Sequence, residues 1–220
     1  MKAFVVALKQ RVVRTVVRQF GHPHGIGGRL AGWVMAHRSS NRQRNRWVVS
    51  LLDVRPTDRV LEIGFGPGLA IAELSRRATG GTVFGIDHSE VMLQRATKRN
   101  AAAIRAKHVE LVRASVEQPP HFEEPLDAIL AVNSLGFWPE PTQRLAELRT
   151  LLRPGGRIAI AAQPRCPGAT EETSAKAARE IETLLREAGF SQIHVETLDL
   201  DPPVVCVLAQ PAVSREHPVA

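Results

Sequence analysis

The sequence predicts a single α/β domain built on a largely parallel, doubly wound sheet, and three observations predict it. From about residue 58 onward, short β-branched runs alternate with helical stretches, as strand–helix–strand units do. The last two strand runs are separated only by LDLDP, so they are expected to pair as an antiparallel hairpin. The length, 220 residues, suits one domain of this class. With 44% hydrophobic and 23% charged residues the composition is that of an ordinary globular chain, which excludes wholesale disorder and fibrous repeats.

The first element is a basic arm. The first 52 residues carry ten Lys and Arg and no acidic residue, whereas the remaining 168 carry 19 basic against 22 acidic. Residues 2–20 read as an amphipathic helix, with Val5, Val12, Val16 and Phe20 on one face and Arg11, Arg14 and Arg18 on the other. GHPHGIGG at 21–28 breaks that helix, and further helical patterns run over about 29–35 and 42–52. Ser39, Ser40 and Asn41 offer N-cap chemistry to the latter. The charge division predicts an arm over 1–52, a body over 53–210 and a tail over 211–220. Such an arm suits a lid on the body, and a peripheral membrane contact through its helix is the competing expectation.

In the body, strands are expected at 59–63, 82–86, 108–112, 126–132, 157–162, 192–198 and 203–209, with helices over about 68–78, 89–104, 141–152 and 170–188. No apolar run reaches the length of a membrane-spanning helix. The two cysteines, Cys166 and Cys206, exclude a disulfide scaffold, so a reducing, cytoplasmic setting is expected. No set of His, Cys, Asp and Glu has the spacing of a metal site, and HPH at 22–24 supplies only two nitrogens, so no metal is expected.

Ligands of such sheets bind beyond the carboxyl ends of the strands. There VLEIGFGPG, at 60–68, places Gly64, Phe65, Gly66 and Gly68 in a loop just after the first strand. Asp87 ends the second strand, 19 residues beyond Gly68, where a carboxylate accepts hydrogen bonds from ribose hydroxyls. Leu69 stands where a dinucleotide fingerprint needs Gly or Ala, and Glu62 suits an ammonium group rather than a pyrophosphate. No GxxxxGK[ST] is present, so a P-loop is excluded.

These residues resemble the class I S-adenosylmethionine-dependent methyltransferases over about 42–209, with ExGxGxG at 62–68 similar to the family's first motif. The resemblance implies a Rossmann-like seven-stranded sheet of order 3-2-1-4-5-7-6 with strand 7 antiparallel. It also implies S-adenosyl-L-methionine as cofactor and S-adenosyl-L-homocysteine as product. The methionine end would lie over the glycine loop near Glu62, the ribose at Asp87, and the adenine between His88 and Met92. Ser115, in Ala114-Ser115-Val116, stands where the family often has an acid facing the adenine amine, and Asn133 ends the fourth strand. Pro154-Gly155, in LLRPGGRIAI, suits the centre of a type II turn before the fifth strand.

The expected reaction is methyl transfer to a small organic acceptor at oxygen, nitrogen or carbon. A lipid head group or nucleic acid recruited by the arm is the alternative, nucleic acid being the less favoured, and a non-catalytic cofactor-binding protein is a third. VNSLGFWPEP at 132–141 lacks the Asn/Asp-Pro-Pro-aromatic tetrad of exocyclic-amine nucleic-acid methyltransferases. His22 and His24 are the weak catalytic candidates, and Trp33, Phe137 and Trp138 the candidates for the acceptor pocket. The assembly is expected to be a monomer or a homodimer.

Overall fold

One seven-stranded sheet organises the chain, in the order β3-β2-β1-β4-β5-β7-β6. The computed structural model describes residues 39–212. The strands are β1 Arg59–Ile63, β2 Thr82–Asp87, β3 Val109–Arg113, β4 Leu126–Val132, β5 Leu152–Ala162, β6 Phe190–Leu198 and β7 Val204–Pro211. The helices are α1 Ser39–Leu51, α2 Leu69–Ser75, α3 Glu90–Arg99, α4 Ala101–Arg105, α5 Pro141–Leu151 and α6 Glu171–Glu187. β1 to β5 pair in parallel, and β7 runs antiparallel to both β5 and β6, as the terminal hairpin requires.

Both faces of the sheet are buried. Val48 and Leu52, Ile71 and Leu74, and Met92 pack on one face; Leu145 and Leu148 of α5 and Ile181 and Leu185 of α6 pack on the other. Each such side chain contributes about 1.5–3 kcal/mol of transfer free energy when fully buried. The two faces together close the sheet, so a ligand is left the ends of the strands. Cys206 belongs to this core, where burial and the nearby Glu196 push its thiol up to about 12, while Cys166 is exposed. Among the described residues no helix is long and apolar enough to cross a membrane.

Several expected boundaries move. Ser39, Ser40 and Asn41 do not cap a helix beginning at 42; they are themselves helical, at the start of α1. α1 packs into the same core as the body, so residues 39–52, given to the arm on charge, are structurally part of the domain. The helix expected over 89–104 divides at Asn100, whose buried Nδ2 donates to Ala96 O at 2.9 Å and to Gly68 O at 3.2 Å. The fifth strand starts at 152 rather than 157: Leu152 pairs with Leu126 and Arg157 with Ala128, so the strand bulges around Gly155, whose φ is +72°. The helix expected over 68–78 stops at Ser75, whereas α5 and α6 keep their expected ends to within a residue. Thr170 forms a reciprocal capping box with Thr173 at the start of α6.

Candidate active site

A cleft of about 1410 Å³ opens at the carboxyl ends of β1, β2, β4 and β5. Its floor is the glycine loop between β1 and α2, and the three glycines have different roles. Gly64, at φ +75°, lies so close to β4's end that a Cβ would stand 2.5 Å from Ser134 Cβ. Ser134 is fixed there because its Oγ donates to Ile63 O at 2.7 Å. Gly68 is likewise pressed against Ala96 of α3. Gly66 alone has nothing within 4 Å of where a Cβ would be, so its backbone faces open space. Two glycines let the loop pack, and one leaves room.

Asp87 holds that loop in place. Its Oδ2 accepts from Gly66 N at 2.8 Å and its Oδ1 from Ser89 N at 2.9 Å, which ties the glycine loop to the start of α3. Glu62, on β1, is only 2% exposed, and its Oε2 has no hydrogen-bond partner. Burial above all, and then the neighbouring Asp87 carboxylate, raises the Glu62 pKa well above the usual value; an N–H bond from Ile71 opposes the shift. Asp87 is also raised by burial, against its bonds from Ser89 and Gly66. The two carboxyls share one buried site, and Glu62 has the poorer set of donors.

The other expected residues of this side also line the cleft. His88 sits at its edge with Nδ1 3.9 Å from Asp87 Oδ1, and Met92 is 2% exposed beneath it. Ser115 Oγ accepts from Glu117 N at 3.2 Å, a local turn bond, while Val116 packs into the core. Phe65 is also a core residue, in contact range of Gly85 together with Ile71.

The opposite side of the cleft combines Asn133, Phe137 and Trp138, which the sequence singled out, with Arg44, Gln163 and Arg165, which it did not. Asn133, at φ +55°, accepts from Gln163 N through Oδ1 at 2.7 Å, and its Nδ2 is buried without a partner. Gln163, just beyond β5, accepts from Arg44 Nη1 at 2.6 Å and donates to Pro202 O at 2.8 Å. Arg44 comes from α1, and Arg165 from the loop after β5 reaches the same helix at Asn41. Phe137 ends a short 3₁₀ turn and is half exposed, whereas Trp138 is buried in the core beneath it; both border the cleft. The sole local signal for Arg44 was its i, i+3 spacing from Asn41, which means nothing without β5 beside it. His22, His24 and Trp33 lie outside the described residues.

The sheet order, the glycine loop and the acid ending β2 define a nucleotide-binding α/β transferase of the methyltransferase kind. Residues 60–156 match the family described as "Methyltransferase domain". The chain is 31% identical to the "Uncharacterized methyltransferase YdaC" of Bacillus subtilis over 182 residues, 82% of this chain and 97% of that protein. Among solved structures it is similar to a SAM-dependent methyltransferase from Aquifex aeolicus, with a TM-score of 0.61, 24% identity, and coverage of 75% of this chain and 88% of that one. It is also similar to magnesium protoporphyrin IX methyltransferase from Synechocystis, solved with bound SAM, with a TM-score of 0.59, 17% identity and 90% of each chain covered. The chain belongs to the class I S-adenosylmethionine-dependent methyltransferases, and S-adenosylmethionine is its cofactor.

Proposed function

We propose that this methyltransferase acts on a small organic acceptor, at oxygen, nitrogen or carbon, with the acceptor bound in the β4–β5 half of the cleft. The observation that carries the reading is the shape of the site. A cleft of about 1410 Å³ runs from the glycine loop past Phe137 and Trp138 to Gln163, beyond what the loop and Asp87 span. A recess of this kind takes a molecule that can enter it, and its aromatic wall excludes water.

The residues on the β1–β2 side fit the cofactor. The open space over Gly66 admits a ligand against backbone, and the unpartnered Glu62 Oε2 suits a donor such as an ammonium group. Asp87 keeps lone pairs for ribose hydroxyls beside the two backbone bonds it accepts. His88 and Met92 would flank the base, and Ser115 would meet its edge. S-adenosylmethionine supplies a methyl on a sulfonium, whose thioether is already a good leaving group. The protein's own part is to align the acceptor and exclude water, and alignment alone is able to supply about 7–11 kcal/mol of a barrier. A base is needed only where the acceptor has a proton to lose. The test is S-adenosylhomocysteine release with a panel of oxygen, nitrogen and carbon nucleophiles of low molecular mass. Turnover with at least one of them is expected; methyl incorporation solely into nucleic acid or lipid vesicles would overturn the reading.

A further inference from the structure

The two edges of the sheet differ in what they offer. Among the described residues β3 and β6 are each paired on one side only. An edge strand presents a row of N–H and C=O groups that a further strand is able to take up. Each edge also carries an exposed large apolar side chain, Val112 on β3 at 41% and Val195 on β6 at 38%. In β6 all of 194–197 is exposed, and the regular ladder to β7 runs over 194–198, beyond a bulge in which Gln192 has φ +51°. That ladder assigns the faces of β6, because residues directly opposite each other point the same way. Val195 stands opposite Val207, a member of the core beneath α6. His194 and Glu196 stand opposite Leu208 and Cys206, on the α1 face.

We propose that two copies of this chain pair antiparallel through β6, about a twofold axis at Val195, to form one continuous sheet. Such an interface is self-complementary, so each residue faces its mirror position about the axis. With the axis at Val195 the two valines meet and extend the core beneath α6. His194 of each copy then faces Glu196 of the other, which gives two imidazole–carboxylate pairs by symmetry. Moving the axis to Glu196 sets carboxylate against carboxylate, and moving it to His194 sets imidazole against imidazole. The β3 edge has no comparable register. Its charged residues, Glu110 and Arg113, are three apart and so lie on opposite faces, and no twofold axis brings one opposite the other. The bulge at Gln192 keeps the β6 ladder short, so the interface is small and association is expected at about 10–100 μM. The cleft opens at β1, β2, β4 and β5, and pairing at β6 leaves it open.

The experiment uses the full chain in sedimentation velocity at pH 6 and low salt, across about 1–200 μM. A concentration-dependent shift from one chain to two is expected. His194→Glu sets like charges opposite each other in both cross-strand pairs and should weaken the dimer about tenfold. Glu196→Lys does the same with the other sign and should weaken it similarly. The two changes together restore opposite charges in both pairs, so the combined variant should return to within about threefold of the wild type. All these positions are exposed, and folding is not at stake. The register is read separately, by oxidation with oxidised glutathione in a Cys166→Ser background, where the remaining Cys206 is buried. Val195→Cys brings two thiols directly opposite each other and should give a covalent dimer. Thr197→Cys leaves them about 14 Å apart and should not.

A mass of one chain at every concentration overturns the proposal. So does a dimer that the combined variant fails to restore, or one that cross-links at 197 as readily as at 195, since it would then use another surface. A Val195→Cys thiol shielded from a thiol-reactive probe in the monomer would mean that another part of the chain covers the edge, and this too overturns it.

Discussion

The β1–β2 half of the cleft and its β4–β5 half are built from opposite charge and by opposite routes. On the first side two carboxyls, Glu62 and Asp87, sit 25 residues apart in the chain at the ends of adjacent strands, and the buried orphan is an oxygen. On the second, Arg44, Asn133, Gln163 and Arg165 come from α1, β4 and the loop after β5, and the buried orphans are nitrogens. The first half is assembled by one strand–loop–helix–strand unit, so local rules dictate it. The second exists only once α1 has docked across the sheet. One half therefore follows from residues close together in the chain, while the other depends on long-range docking.

Replacing Gly64 breaks the comparison most severely, because it damages the scaffold on which both halves rest. Ala at φ +75° is strained, and its Cβ would stand 2.5 Å from Ser134 Cβ, which is itself tied to Ile63 O. Strain and overpacking together should cost about 2–5 kcal/mol. Urea unfolding of Gly64→Ala should show a lower midpoint with an unchanged slope, and S-adenosylhomocysteine binding should be lost. A variant of wild-type stability would mean that Ser134 yields easily and that the loop is not clamped by β4.

Asp87→Ala is the next largest and is confined to the β1–β2 half. It removes the acceptor for Gly66 N and Ser89 N as well as the expected ribose contact. S-adenosylhomocysteine should bind more weakly by roughly 1–3 kcal/mol in calorimetry. The acceptor's KM at saturating cofactor should change far less. If both halves respond, they are coupled through the loop.

The same contrast explains what was legible in the sequence. The terminal hairpin and the glycine loop with its acid were readable because each follows from residues near one another in the chain, whereas the strand order came with the family resemblance. Glu62, Gly66 and Asp87 all border the cleft as that reading expects. The separate tasks of Gly64 and Gly66 were not readable, since Ser134 arrives from 70 residues away. Nor was the place of α1: its charge put it with the arm, but Val48, Val49 and Leu52 bury it in the body's core. Arg44 was counted only as one of ten positive charges, and its burial beside Gln163 is a property of the docked helix.

Glu62→Gln sharpens the comparison through pH. Burial and Asp87 raise the folded-state pKa of Glu62 well above its ordinary 4.5, so the folded protein holds a proton that the unfolded chain has already released. Stability from this group is full below pH 4.5 and is lost as pH rises through the raised folded value. Thermal unfolding without cofactor should therefore show wild-type stability declining over that window, and Glu62→Gln, which is always neutral, should decline less. Parallel curves for the two proteins would place the proton elsewhere, on Asp87 for example.

The smallest effect on folding is expected at Phe137, where the two halves meet the solvent. Its ring is 50% exposed, so Phe137→Ala removes little buried surface and should shift stability by no more than about 0.5 kcal/mol. Trp138 beside it is 9% exposed and part of the core, so the corresponding change there would test packing rather than binding. Phe137 borders the cleft on the β4 side and makes no hydrogen bond to Asp87, so S-adenosylhomocysteine affinity should stay as in the wild type. What should change is the acceptor: KM is expected to rise a few-fold, about the worth of one partly exposed aromatic contact, with a smaller change in kcat. A fall in cofactor affinity instead would carry the β1–β2 half further around the cleft than the geometry indicates, and would leave the acceptor only the region bounded by Gln163 and Arg165.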